Sequence, residues 1–369
     1  MQPNNLPKRL LYITNDSNWD TDISILPNLA SHYRLEVYCL SQKDPEVRKY
    51  KVKTLPDNAL LHDCQFGRSK KNPIMIFASF IYGLRVLFAS RKATTIWVMD
   101  NIVWYGYLFI LFALANRVIV SIHNYVDHTD ARRWEKKMKS YAIKKFKYFH
   151  FHSAAQEMAF QKDYPEKCSF YTKMPVKDFG LAEERIELFD NHNRTFLFFG
   201  SIREYKRPDL FIEASNKLKD KANFIIAGTG PHWGSVQHLI DADNPIKCFI
   251  RMIDNSEIPS LFSSVDFLVL PYDDSTQSGP LLTAYNYNLP AIASSLPYFK
   301  EMIDNGKTGF LFDSGDIYSL LRAIETAIHL SDEEYKDLCS CLKHKVDDYK
   351  KSSSFTTALQ DFINQYNIC

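Results

Sequence analysis

FLVLPYDDSTQSGPLLTAYNYNLPAIAS, residues 267–294, reads as strand, loop, short helix and strand. Phe267-Leu268-Val269-Leu270 is continuously apolar, the pattern of a strand buried on both faces. Pro271 stops it, and the loop from Tyr272 to Gly279 is polar and rich in turn formers. Pro280 suits a first helical position, because it has no N–H to leave unpaired and its φ is preset. Asn288 can take the left-handed conformation that ends the helix, and Pro290 prevents its continuing. Ala291-Ile292-Ala293 is the next strand. A polar loop that runs from a strand end into a helix start is a natural anion site in an α/β sheet.

The chain around this stretch repeats the alternation. Strand Phe196–Phe199 leads into a turn from Gly200 to Arg207, then a helix from Pro208 to Lys219. Strand Phe224–Ala227 leads into Gly228-Thr229-Gly230 and a helix near 232–241. Strand Cys248–Met252 leads to helix Ser256–Phe262. Beyond the opening stretch, Tyr298–Asp304 is helical, Gly309–Phe312 is a strand and 315–330 is an amphipathic helix.

The first half alternates in the same way. Arg9–Thr14 is a strand, followed by the polar loop NDSNWDTD and a helix Ile23–His32. That loop has no glycine, so the G-x-G-x-x-G dinucleotide fingerprint is absent and a nicotinamide or flavin enzyme is disfavoured. Leu35–Leu40 is a strand, and 42–58 is charged and irregular. An apolar helix Ile74–Ser90, a strand Thr94–Met99, an aromatic-rich helix Trp104–Ala115, a strand Val118–Ile122 and a strand Tyr148–His152 follow. Alternating strands and helices imply mostly parallel sheets covered on both faces. The charged stretch 176–194 breaks the periodicity and reads as an inter-domain linker.

Composition narrows the class. At 369 residues the chain exceeds one ordinary core. Its net charge of +2 gives no general pull toward nucleic acid, and no nucleic-acid partner is expected. Seven scattered cysteines without a C-x-x-C pair fit a reducing cytoplasm rather than a disulfide framework or a zinc site. The apolar run 10–13 is too short for the core of a signal peptide, and no segment reaches about 18 uninterrupted apolar residues. The stretch 132–147 is dense in Lys and Arg, with Trp134, Met138, Tyr141, Ala142 and Phe146 at helical spacing. This is a basic amphipathic helix, either a solvated face or a contact for anionic lipid head groups.

Three features carry candidate chemistry. Arg203, Lys206 and Arg207 lie just beyond a strand end, where Arg suits bidentate and Lys point-charge contact with phosphate. The bland alternative is surface charge on a βα loop. Gly228-Thr229-Gly230 permits close approach of a ligand to backbone, or is simply a tight turn. His123 closes a strand and is either a satisfied histidine at a sheet end or a donor to a sugar hydroxyl. His123, Asp127 and His128 lack a further ligand at metal-site spacing, and no metal is expected.

Together, FFGSIREYKRPDLFIEA, FIIAGTGP, VDFLVLPY, SGPLLTAYNYNLPAIASS and LPYFKEMIDNGKTGFLF resemble, in content and order, the family 4 glycosyltransferases of GT-B fold. VSIHNYVDH is similar to the family segment that carries a cleft histidine, here His123. The resemblance implies two Rossmann-like domains facing across a cleft. Residues 1–180 would be the acceptor domain, with the helix 355–369 crossing back onto it, and 181–354 the nucleotide-sugar donor domain. It implies retaining, metal-independent sugar transfer, without a cofactor, from a UDP- or GDP-linked donor to a glycan or lipid-linked acceptor. The setting would be bacterial surface polysaccharide biosynthesis in the cytoplasm, or on the inner face of the plasma membrane.

His123, Arg203 and Lys206 would be catalytic. Gly200, Gly228, Gly230, Met252, Gln277, Ser278, Gly279, Leu281, Leu282 and Thr283 would bind the donor, with backbone N–H groups of Leu281 and Leu282 holding the diphosphate. Glu301 matches a family glutamate or is an exposed helical acid. The family's usual pair of glutamates would fall on Ser275 or Thr276 and on Thr283, none acidic. Gln277-Ser278-Gly279 within TQSG is similar to a bacterial subgroup without those glutamates. Two other classes remain open: a catalytically silent nucleotide-sugar-binding or scaffold subunit, and a nucleotide-sugar epimerase.

Overall fold

The structure is a computed structural model, and it describes residues 8–42, 45–66, 73–99, 117–122, 125, 133–182, 186–352 and 355–368. The chain divides into two compact units, Met1–Pro175 with Ser352–Cys369, and Val176–Lys351. These divisions lie a few residues before those expected at 180 and 354.

In the first unit the elements are β1 (Arg9–Asn15), α1 (Trp19–Ala30), β2 (Arg34–Gln42), α2 (Pro45–Thr54), β3 (Leu60–Phe66), α3 (Pro73–Ser90), β4 (Thr95–Met99), β5 (Val118–Ile122), α4 (Arg133–Lys145), β6 (Tyr148–Phe151), α5 (Ala154–Asp163) and β7 (Cys168–Tyr171). Among the described residues the strands form one parallel sheet of order β3-β2-β1-β4-β5-β6-β7. Side chains alternate across it with the period of two that a strand imposes. Leu11, Ile13, Val98 and Val120 meet Val86 of α3 and Ala142, Ile143 and Phe146 at α4 on one face. Leu10, Tyr12, Trp97 and Ile119 meet Ile25, Leu26 and Leu29 of α1 on the other.

Three expectations for this unit need correction. The loop after β1 is short: Asp16–Asn18 is a 3₁₀ turn and α1 starts at Trp19, whose buried ring joins the core. The irregular stretch 42–58 contains α2, which Pro45 opens, and it leads into β3. β7 was also not expected. The helix read at Trp104–Ala115 lies outside the described residues.

The second unit holds β8 (Thr195–Phe199), α6 (Pro208–Leu218), β9 (Asn223–Ala227), α7 (Trp233–Val236), β10 (Lys247–Phe249), α8 (Ile258–Ser263), β11 (Phe267–Leu270), α9 (Gly279–Asn286), β12 (Ala291–Ser294), α10 (Pro297–Met302), β13 (Gly309–Phe312), α11 (Ile317–Ile328) and α12 (Asp332–Ser352). Its parallel sheet has the order β10-β9-β8-β11-β12-β13. Phe196 stacks on Phe224 and Phe267 across three neighbouring strands, with centroids 5.5 and 5.6 Å apart. The stretch 176–194 has no regular element where it is described, yet it is tied to this unit: the Ile186 N–H donates to Ser264 Oγ at 2.7 Å. The helix expected near 232–241 is only α7 and a 3₁₀ turn.

The last helix, α13 (Phe355–Gln365), belongs to the first unit. Phe355 packs on Trp97 and Phe362 on Phe170, with centroids 5.1 and 4.4 Å apart.

Candidate functional site

The strand order of the second sheet reverses between β8 and β11, the two central strands that lead into the basic turn and the 271–282 loop. At such a reversal, loops leaving the C-terminal ends of adjacent strands turn to opposite faces and leave a crevice between them. Both candidate anion loops therefore flank one crevice. Pro280 also meets the first turn directly, since a Cβ on Gly200 would lie 3.5 Å from Pro280 Cγ and 3.7 Å from Lys206 Nζ.

The first turn is held by backbone. Gly200 has φ +106°, its N–H donates to the Ala227 carbonyl at 2.9 Å, and the Ile202 N–H donates to Thr229 at 3.0 Å. The Gly228-Thr229-Gly230 turn sits against it so closely that a Cβ on Gly228 would lie 1.9 Å from the Gly200 oxygen, and one on Gly230 2.1 Å from that of Ile202. The close approach that these glycines permit is to the neighbouring turn. Arg207 takes a left-handed conformation, φ 50°, and pairs with Asp209 at 2.8 Å and Asp273 at 3.1 Å. It tethers the two loops, and its charge is already matched.

Lys206 differs. It ends a 3₁₀ turn, Glu204–Lys206, and is 7% exposed. Among the described residues no carboxylate pairs with it, and its ammonium rests only over the Tyr272 ring, 5.1 Å from the centroid. Burial, then the positive charges of Arg203 and Lys177, push its pKa from 10.5 down to about 8. Arg203 is exposed, and its Nε–H donates to Ser201 Oγ at 3.2 Å.

The start of α9 corrects one expectation. Ser278 is the N-cap: its Oγ accepts from the Leu281 N–H at 3.3 Å, and its carbonyl accepts from the Leu282 N–H at 3.1 Å. The two backbone donors expected to hold the diphosphate are thus already occupied, because the first intrahelical bond and the cap use them. Pro280 has no N–H. Gly279 carries the one N–H of this first turn without an acceptor among the described residues. The Thr283 hydroxyl donates back to the Gly279 carbonyl at 3.0 Å, and Thr283 is buried. Gln277 Nε2 is a buried donor without a hydrogen-bond partner among the described residues. At the far end Asn288 is left-handed, φ 53°, and the Leu289 N–H reaches the Ala284 carbonyl at 2.9 Å, closing the helix as a Schellman motif.

Sequence reasoning missed Lys177. Its Nζ lies 3.2 Å from where a Cβ on Gly279 would be. Its N–H donates to the Leu282 carbonyl at 3.4 Å. The segment had been read as linker, and no sequence pattern ties it to a helix about 100 residues later.

Other candidates stand apart from this cluster. Met252 lies beyond the end of β10 and is 75% exposed, which corrects the strand expected to reach it. Glu301 is exposed on α10. His123, Asp127 and His128 lie outside the described residues. On α4 the apolar side is made by Ala142, Ile143 and Phe146 in the core, whereas Tyr141 lies outward with Lys136, Lys137, Ser140 and Lys144 along a groove. Among the described residues no helix is long and apolar enough to cross a membrane.

Comparison with known proteins bears on the family domain and the fold. Residues 193–329 match the family described as Glycosyl transferases group 1. The chain is 26% identical to the sulfoquinovosyl transferase SQD2 of Arabidopsis thaliana over 142 residues, 38% of this chain and 27% of that protein. It is 24% identical to an Escherichia coli UDP-Gal:alpha-D-GlcNAc-diphosphoundecaprenol alpha-1,3-galactosyltransferase over 172 residues, 45% of this chain and 44% of that one. The chain thus spans less than half the length of these two relatives. HepE of Anabaena, solved with UDP and glucose, superposes with a TM-score of 0.71 at 12% identity over 98% of this chain and 100% of its own.

Proposed function

We propose that this protein, whose second unit carries a glycosyltransferase family domain in a GT-B fold of two Rossmann-like domains, transfers a sugar from a nucleoside-diphosphate sugar to a glycan or lipid-linked acceptor. The observation that carries this reading is Lys206, a buried ammonium beside the start of a helix with no carboxylate paired to it among the described residues. Such a group is costly to keep until an anion arrives, and a departing diphosphate is an anion of the right kind. Lys206 and Arg203 would take its developing charge. The Gly279 N–H would donate to it, and Gln277 Nε2 would meet an oxygen of the donor. Site residues of this kind would suit metal-independent transfer with retention, and TQSG supports a likeness to the subgroup without the paired glutamates. His123 would serve the acceptor side.

The acceptor and setting follow from likeness and surface charge. One relative bears the name of an enzyme acting on a diphosphoundecaprenol-linked sugar, which supports a lipid-linked acceptor and a role in surface polysaccharide assembly. Exposed Lys136, Lys137 and Lys144 beside Tyr141 on α4 would then hold a cytoplasmic enzyme against anionic lipid.

A thermal-shift screen of UDP, GDP and their sugars tests the reading, followed by donor turnover with purified protein. A nucleotide at 100 times its dissociation constant should stabilise the fold by about 2.7 kcal/mol. Lys206→Ala should abolish both the shift and turnover. Absence of any shift with every diphosphate would overturn the proposal, and binding without turnover would favour the silent subunit.

A further inference from the structure

We infer that Tyr272 is a positioning residue of the diphosphate site: its ring face holds the Lys206 ammonium in place and in its charged form without itself supplying an anion. That role rests on reading this crevice as a diphosphate site.

Tyr272 lies two residues past the end of β11 and is 2% exposed. Backbone and ring contacts fix its place. Its carbonyl accepts from Ser294 Oγ at 2.6 Å and from Ser314 Oγ at 3.2 Å. Its ring meets those of Phe299 and Tyr205 at centroid distances of 5.8 and 6.2 Å, both at steep angles. The Asp273 N–H donates to the Tyr205 carbonyl at 2.8 Å. That bond joins the residue after Tyr272 to the residue before Lys206, and so sets the two side chains in register. The Lys206 ammonium then lies 5.1 Å from the Tyr272 centroid and 3.7 Å from where a Cβ on Gly200 would be.

A carboxylate at this place would keep Lys206 charged, but it would also take up the N–H donors and repel a phosphate. An aromatic ring attracts a cation through the negative face of its quadrupole, within about 6 Å and most strongly where water is excluded, and it carries no net charge. Burial holds the Tyr272 phenol well above its usual range, so the ring stays neutral. The other charges about Lys206 do not hold its proton. Arg203 on its own turn and Lys177 from the segment before β8 both lower its pKa, and Arg207 is matched by Asp209 and Asp273. Among the described residues, then, no carboxylate favours the charged form of this buried lysine, and the ring of Tyr272 does.

Calorimetric titration of the full chain with UDP and GDP across about pH 6 to 9.5 tests this on Tyr272→Phe, Tyr272→Leu and Tyr272→pentafluorophenylalanine. The last keeps the shape of the ring and reverses its quadrupole. Nuclear magnetic resonance titration of the lysine Cε signals, with Lys206→Met to assign the one that matters, reports the Lys206 pKa without a ligand. In the wild type, affinity should fall as pH rises through about 8, where Lys206 loses its proton. Tyr272→Phe should keep that midpoint. Tyr272→Leu and Tyr272→pentafluorophenylalanine should lower it by about one pH unit in both measurements, so that their loss of affinity is small near pH 6 and about tenfold above pH 8. If Tyr272→Leu fails to fold, Tyr272→pentafluorophenylalanine decides alone. A wild-type midpoint in that variant would overturn the role of the ring. A loss in Tyr272→Phe as large as in Tyr272→pentafluorophenylalanine would assign the effect to the hydroxyl and overturn it too, as would a loss equal at every pH. Failure of the wild-type chain to bind either diphosphate would overturn the reading of the site, while the resonance titration would still decide whether the ring holds the charge on Lys206.

Discussion

Each unit buries a lysine, and the two are treated in opposite ways. Lys51 of α2 is fully buried in the first unit, where Asp16, Ser41, Asp63 at 3.4 Å and Cys39 Sγ at 3.3 Å surround its ammonium. Burial pushes its pKa down, but Cys39, Asp16 and Asp63 outweigh that, and the net shift is upward. Burial also raises the Cys39 thiol to about 12, so at neutral pH the two carboxylates supply the compensation. Among the described residues Lys206 has an aromatic ring and two like charges about it and no carboxylate, and its shift is downward to about 8. A buried cation supplied with its own counter-charges belongs to the structure. One left without them is stabilised when a ligand brings them, and on the proposed function that difference makes the second unit the anion-binding one.

The comparison can be broken most strongly at Lys51. Lys51→Met should take from Asp16 and the 3%-exposed Asp63 side chain the buried ammonium they share, at a cost of about 3–5 kcal/mol in urea unfolding. A loss under about 1 kcal/mol would mean that the cluster is not a structural ion pair. Lys206→Met should act with the opposite sign. Replacing an unpaired buried ammonium with an apolar side chain should stabilise the nucleotide-free protein by about 1–3 kcal/mol while removing diphosphate binding. Destabilisation together with intact binding would sink the contrast.

pH separates the two lysines next. Between about 8 and 10.5 the unfolded chain holds a proton on residue 206 that the folded chain has lost. Stability from this group is therefore lowest below pH 8 and rises through that window, by up to about 1.4 kcal/mol per unit. Diphosphate binding needs the ammonium, so affinity should fall as pH climbs through 8, with proton uptake on binding near that pH. Lys51, raised above 10.5, contributes fully below that value and loses its contribution only as pH passes its folded pKa. Lys206→Met should hence abolish both trends between pH 7 and 9.5, and Lys51→Met neither. The smallest effect belongs to Ser278→Ala, which removes the α9 cap and should cost about 1 kcal/mol in urea. Because the freed Leu281 N–H can then turn to a ligand, diphosphate affinity should change little.

What could be read in advance depended on how local its cause was. Pro280 at a first turn, Asn288 at a left-handed helix end and the apolar run 267–270 carry their reasons within a few residues, and each appears where expected. β3 was not legible because His62, Asp63 and Gln65 interrupt its apolar run, as the outermost strand of a sheet allows. The roles of the basic turn were legible only as a set. Three cations follow β8, and nothing in their order says that Arg207 is matched by Asp209 and Asp273 while, among the described residues, no carboxylate matches Lys206. Leu281 and Leu282 were misread for a related reason: the N–H groups of a helix start are donors only until a cap is counted, and Ser278 is that cap.

The sequence by itself therefore determined the alternating α/β architecture, the helix start after Gly279 and the basic character of the turn after β8. Periodicity, proline and glycine geometry and side-chain charge are properties of short segments. Only the tertiary structure decided which charge is left without a partner, which N–H remains a donor, and that Lys177 joins a helix start about 100 residues away. Those are properties of burial and distance, and both depend on a strand order that reverses between β8 and β11.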